Sequence, residues 1–220
     1  MSWDQLWPLV LDGLWDTLYM TIPSTILSYL IGMPLGLLLV VTAKSGIRPL
    51  PKLNAVLGVI INFLRSIPFI ILLAMLFPVT RAVMGRAIGT QAVIFPLVIS
   101  AFPYVARMVE GSILEVDRGV IEAAQSLGST DLQLILKVLI PEALPSLLNG
   151  AAIVTVTILG YTAMASAAGG GGLGAIAITK GLNLRKMDVM YVAAIALVIL
   201  VQIITIAGNH ITKKLDHRKR

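Results

Sequence analysis

The chain of 220 residues is 57% hydrophobic and 13% charged, with a net charge of +6 and a mean hydropathy of +0.92. Those values are too apolar for an ordinary soluble domain and make a lipid bilayer the natural solvent. The positive balance does not signal nucleic acid, because basic residues flanking apolar runs are what membrane topology requires. Cysteine is absent, which excludes disulfides and thiolate metal sites.

Trp3, Asp4, Trp7, Asp12 and Asp16 precede the first basic residue, Lys44, so the N-terminus lacks the basic start of a cleavable signal peptide. The first span is expected to stay in the mature protein. A run of about 20 apolar residues crosses the hydrocarbon layer, which places spans between the charge clusters. The first is expected at 17–43, with Pro34 between Gly32 and Gly36, and the second at 53–80, which carries Arg65 and Pro68. The third is expected at 87–106, with Pro96 and Pro103. The fourth is expected at 143–168, closed by the glycine cluster Gly169 to Gly174, and the fifth at 189–212.

Between spans three and four, residues 107–142 hold six of the eleven acids and are too charged to cross a bilayer. The expected fold is therefore an all-α integral membrane protein: one domain over 1–220, with five transmembrane helices and a large extramembrane loop. Assigning the loops alternately gathers Lys44, Arg48, Lys52, Arg107, Arg118, Lys137, Lys213, Lys214, Arg218, Lys219 and Arg220 on one side. The other side holds Arg81, Arg86, Lys180, Arg185 and Lys186. Positively charged loops stay inside, so the large loop and the C-terminus are expected in the cytoplasm and the N-terminus outside. No internal duplication of spans supports an inverted-repeat carrier.

Within the loop, Asp117 is placed to cap a short helix with Val120, Ala123, Ala124 and Leu127 on one face, and Gly128 to stop it. Thr130 and Gln133 fit a capping box opening a second helix with Leu132, Ile135, Leu136 and Leu139. An interfacial amphipathic helix would show the same periodicity. The stretch Glu122-Ala123-Ala124-Gln125-Ser126-Leu127-Gly128, followed after nine residues by Val138-Leu139-Ile140-Pro141, resembles the EAA loop of ATP-binding-cassette importer permeases. Val138 and Ile140 stand where that family prefers Ile and Leu.

The likeness extends through Arg65-Ser66-Ile67-Pro68-Phe69, Ala106-Arg107-Met108-Val109-Glu110, Pro141-Glu142-Ala143-Leu144-Pro145 and Gly160-Tyr161-Thr162-Ala163-Met164 with the glycine run after it. These stretches are similar to the methionine-importer permease branch. The resemblance implies a type I importer permease in the bacterial inner membrane, working by alternating access. It implies that Glu122, Ala123, Ala124 and Gly128 form a coupling helix seated in an ATPase subunit. The implied partners are a dimer of that ATPase, a second copy of this chain and an extracytoplasmic methionine-binding lipoprotein. ATP and Mg would be bound by the ATPase, with no cofactor on this chain. Methionine, D- or L-, is the implied substrate, and another small amino acid is the near alternative.

Other constellations are weaker. The glycine run lacks the Lys and Ser/Thr that complete a P-loop, so a turn and close packing are expected there, with a gate hinge as the minor reading. Arg65 is either a functional intramembrane charge or one that reaches to the interface where Pro68 breaks the helix. Together with Ser66 and Pro68 it is a candidate for the translocation pathway. Tyr161 and Met164 either join that pathway or pack, as methionine often does. His210 and His217 have no metal-ligand spacing around them. No nucleophile, base or paired carboxylate marks an enzyme. An ion-coupled carrier is the rival from a different class, and it would need an intramembrane carboxylate.

Overall fold

The computed structural model of the protein describes residues 3–215, with side chains from Leu6 onward, and every regular element in that range is helical. His217, Arg218, Lys219 and Arg220 lie outside the described residues. The first helix, α1 (Trp3–Thr42), is 40 residues long, about 60 Å at about 1.5 Å per residue. It begins well before residue 17, so Asp12 and Asp16 ride within it. The hydroxyls of Thr17, Thr21 and Thr25 each donate to the carbonyl one turn back, at 2.7–2.8 Å, which satisfies them in apolar surroundings.

One face of α1 is built from small buried residues, among them Thr21, Ser24, Ser28, Gly32 and Gly36. Its lower part lies on α5 (Ile94–Leu114), the most extensive helix pair in the fold. A Cβ on Gly32 would sit 2.6 Å from Val105 Cβ, and one on Gly36 would sit 2.6 Å from the Ala106 carbonyl oxygen. The two backbones come this close only because those side chains are missing.

The region expected as one span at 53–80 is broken into three helices. Helix α2 (Pro51–Ser66) starts with proline in its first turn, where a missing N–H costs nothing. Asn54 ties it to α1 by donating to the Leu39 carbonyl at 2.7 Å and to the Thr42 hydroxyl at 3.1 Å. It stops at Ile67, which Pro68 forces into extended backbone (φ −85°, ψ 121°). Helix α3 (Phe69–Met75) then leaves at a bend of 100°, and α4 (Phe77–Met84) ends on the left-handed Gly85.

The third expected span also shifts: α5 starts at Ile94 and continues past residue 106 to Leu114. Helices α6 (Arg118–Ser126) and α7 (Asp131–Leu134) follow. A π-helical turn over Ile135–Leu139 joins α7 to α8 (Ile140–Met164) without a break. After a 3₁₀ turn and the glycine cluster come α9 (Leu173–Ala175), a second π turn over Ile176–Leu182, and α10 (Met187–Leu215).

The apolar segment 173–182 was not anticipated as an element. It packs between the start of α1 and the start of α10, where Leu6, Ile176, Val189 and Ala193 are buried together. The main core lies between α1, α5 and α8 and includes Met20, Leu97, Val105, Ile113, Leu139, Val154 and Ile158. Four helical stretches are long and apolar enough to cross a membrane, and the bent α2–α3 pair makes a fifth if counted as one span.

Candidate functional site

The loop between α5 and α8 is built as its local residues dictate. Asp117 caps α6, its Oδ1 accepting from the Gly119 N–H at 2.7 Å. Gly128 ends the helix with φ +81°, a conformation that a residue with a Cβ avoids. Thr130 and Gln133 close a reciprocal capping box, at 3.3 Å and 3.0 Å, that starts α7.

No residue of α6 is buried. Ile121 alone leans on the core, while Glu122 and Ala123 are exposed, Val120 is 40% exposed and Leu127 is 88% exposed. The predicted apolar face of α6 thus points away from the protein. Its small and apolar side chains, flanked by Glu122, form an exposed knob.

In the second helix the expected face is wrong in part. Leu132 and Leu136 are exposed, whereas Leu134 and Leu139 are 1% exposed and face the core. The π turn is the reason: the Ile140 N–H bonds to the Ile135 carbonyl five residues back, so side chains five apart share a face.

Arg48, in the connection between α1 and α2, pairs with Asp131 at the start of α7. This places the α1–α2 connection and the α6–α7 loop at one end of the bundle. A cleft of about 260 Å³ opens beside them, lined by Ser45, Ile47, Arg118, Ile121, Glu122 and Gln125 among others. The cleft lies between α6 and the end of α1.

The pathway candidates gather at the break after α2. Arg65 lies 5.8 Å from the Tyr104 ring centroid, a cation–π contact to α5. The Ser66 hydroxyl donates to the Asn62 carbonyl at 2.8 Å, and Pro68 makes the break. Phe69 stacks on Tyr161 with centroids 4.8 Å apart and planes 8° apart, which joins α3 to α8. Met164 is 48% exposed at the end of α8. Sequence reading gave no sign of Tyr104 as a partner of Arg65, since no local spacing links two helices.

Arg107 and Glu110 were placed in the polar loop, but both lie inside α5. They tolerate that position because they pair with each other at 2.6 Å, and Arg107 also reaches the Gly58 carbonyl and the Asn62 side chain of α2.

The glycine cluster is occupied with structure. The Gly171 N–H donates to the Thr90 hydroxyl at 3.0 Å and the Leu173 N–H to the Thr17 hydroxyl at 2.9 Å, while the Gly169 and Gly170 amides bond back to Ser166 and Ala165. A Cβ on Gly174 would sit 2.3 Å from Ala163 Cα. Four amides of this turn, those of Gly169, Gly170, Gly171 and Leu173, are thus bonded within the protein.

Comparison with known proteins defines the class. Residues 32–220 match the family described as binding-protein-dependent transport system inner membrane component, and the chain belongs to it. It is a permease subunit of an ATP-binding-cassette importer, a transport component rather than a catalyst, which sets aside the ion-coupled carrier. The probable D-methionine transport system permease protein MetI of Vibrio cholerae is 45% identical over 96% of this chain and 93% of its own length. The D-methionine permease MetI of Escherichia coli K12 is 48% identical over 74% of this chain and 75% of its own length. A chain of the MetNI methionine ABC transporter in an inward-facing crystal form superposes with a TM-score of 0.96 at 44% identity, covering 99% of this chain and 100% of that one. An amino-acid ABC transporter crystallised with histidines shares the fold, with a TM-score of 0.72 at 23% identity.

Proposed function

We propose that this chain is the membrane-spanning half of a methionine importer, moving D- or L-methionine into the cytoplasm by alternating access. The observation that carries the reading is the α6 knob: capped at both ends, without a buried residue, and presenting Ala123 and Leu127 outward beside Glu122. The glycine run lacks the Lys and Ser/Thr of a P-loop, so this reading puts the motor on a separate subunit and makes the knob its attachment. The motor is a dimer of an ATP-hydrolysing subunit, which binds ATP and Mg. A second copy of this chain completes the pathway, and an extracytoplasmic lipoprotein delivers the substrate. The substrate assignment follows the methionine permeases described above, and another small amino acid is the alternative.

The whole of 1–220 acts as one permease domain. Its spans are α1, the bent α2–α3 pair, α5, α8 and α10. The N-terminus lies outside and the C-terminus in the cytoplasm, on the side of the Arg48–Asp131 pair, Lys44, Lys52 and Lys137. Glu122, Ala123, Ala124 and Gly128 form the ATPase contact. Arg65, Ser66, Pro68, Tyr161 and Met164 line the pathway around the α2 break. Broken helices at mid-membrane are where transporters expose backbone groups to a polar solute.

The test is uptake by proteoliposomes holding the complete complex, with unlabelled amino acids as competitors. ATP-dependent accumulation suppressed by methionine is the expected result. Accumulation untouched by excess methionine removes the substrate, and an ATPase subunit that never co-purifies removes the mechanism.

A further inference from the structure

Arg107 joins α5 to α2. Its Nη1 donates to Glu110 Oε2 at 2.6 Å along α5, while its Nη2 donates across to α2, to Asn62 Oδ1 at 3.1 Å and the Gly58 carbonyl at 3.3 Å. A Cβ on Gly58 would come within 3.3 Å of that Nη2, so the glycine keeps the approach open. The fork adds to the Asn54 tether to α1 and the Arg65–Tyr104 contact in holding α2. Ile61 is its one buried residue, packed with Leu39 of α1 and Ala106 of α5. The buried Arg107 Nε–H has no acceptor among the described residues.

The placement of this fork matters because of what lies at each end. Below it, α5 finishes at Leu114 and residues 115–117 lead directly into α6. Beyond it, α2 runs to the Ile67–Pro68 break. We infer that Arg107 is a positioning residue for transport: oriented by Glu110, it acts as the strut that carries displacement of α6 through α5 to α2 and the broken span. An arginine suits this role because one planar guanidinium reaches two helices at once, which a lysine ammonium does not reproduce. The salt bridge supplies direction, since Glu110 fixes which way the fork points.

The inference rests on the importer reading for its transport readout, so the test has a second, solute-independent arm. In the complete complex, Arg107→Gln is expected to lower uptake per ATP hydrolysed about tenfold while the ATPase subunit still co-purifies. Arg107→Lys is expected to recover part of the loss, and Asn62→Ala, at an exposed position, to fall between. The chain has no cysteine, so Val56→Cys on α2 and Glu115→Cys just before α6, both exposed, take spin labels, one pair in each permease copy. Their separation is expected to change on nucleotide binding in the native background and to lose that change with Arg107→Gln. A native transport ratio and native label movement in Arg107→Gln overturn the strut. If that variant does not assemble, native behaviour of Asn62→Ala overturns it. Failure of the unaltered complex to import any amino acid counts against the importer reading, while the label movement still decides the strut.

Discussion

Thr17 and Leu173 are joined across 156 residues of chain by one hydrogen bond, the Leu173 N–H donating to the Thr17 hydroxyl at 2.9 Å. The same hydroxyl donates to the Gly13 carbonyl at 2.8 Å, and the threonine is fully buried. This bond fixes the turn after α8 to the upper part of α1. Thr17→Val keeps the shape and leaves a buried N–H without an acceptor, a loss of about 1–3 kcal/mol. Thermal unfolding in detergent should show the valine variant clearly weaker than the native protein, and Thr17→Ser close to it.

Gly174 is held by space rather than by conformation. A Cβ there meets Ala163 Cα at 2.3 Å, a backbone-flanked neighbour that cannot rotate away. Gly174→Ala should destabilise by about 1–3 kcal/mol through overpacking. Gly111→Ala, where nothing lies within 4 Å, should be neutral or slightly stabilising. Equal melting of the two variants would refute the close approach of α8 and α9.

Leu127 is 88% exposed, so its replacement does not touch the fold of the subunit. Leu127→Asp is expected to leave insertion and thermal stability unchanged while sharply reducing co-purification of the ATPase subunit. A pull-down from detergent extract reads this directly, and full recovery of the ATPase would move the contact elsewhere.

Glu122 supplies a negative charge on the same knob. Glu122→Lys should leave a correctly inserted permease whose transport is uncoupled from ATP hydrolysis. Wild-type uptake by this variant would argue that α6 does not transmit motion.

Arg65 sits over Tyr104 beside the α2 break and is exposed within the subunit. Its truncation removes little packing, so Arg65→Ala should assemble normally and lose uptake, about tenfold if the guanidinium meets a carboxylate on the solute. Unchanged uptake kinetics would reduce Arg65 to a residue that orders the interface of α2 and α5.

The parts legible in the sequence are those fixed by neighbours along the chain. Asp117, Gly128 and the Thr130–Gln133 box act within a few residues of themselves, and each does in the structure what its spacing implied. The charge-free runs likewise found the long apolar helices. What escaped depends on partners far away in sequence. Arg107 and Glu110 looked like loop residues because their cost inside a helix is met by Asn62 and Gly58, which no local pattern reveals. Asp12 and Asp16 hid the true start of α1, since charge was read as an edge. Pro68 was read as breaking the helix, and α3 leaves it at a 100° change of direction with Phe69 stacked on Tyr161.

The π turn over Ile135–Leu139 has a consequence for how this subunit tolerates length change. Such a turn holds one residue more than its α-helical flanks need, so the surplus residue is a spare link in an otherwise rigid rod. Deleting one residue there would tighten the turn to ordinary winding and leave the phase of α8 below it intact. The same deletion a turn further along would twist every later side chain to a new bearing.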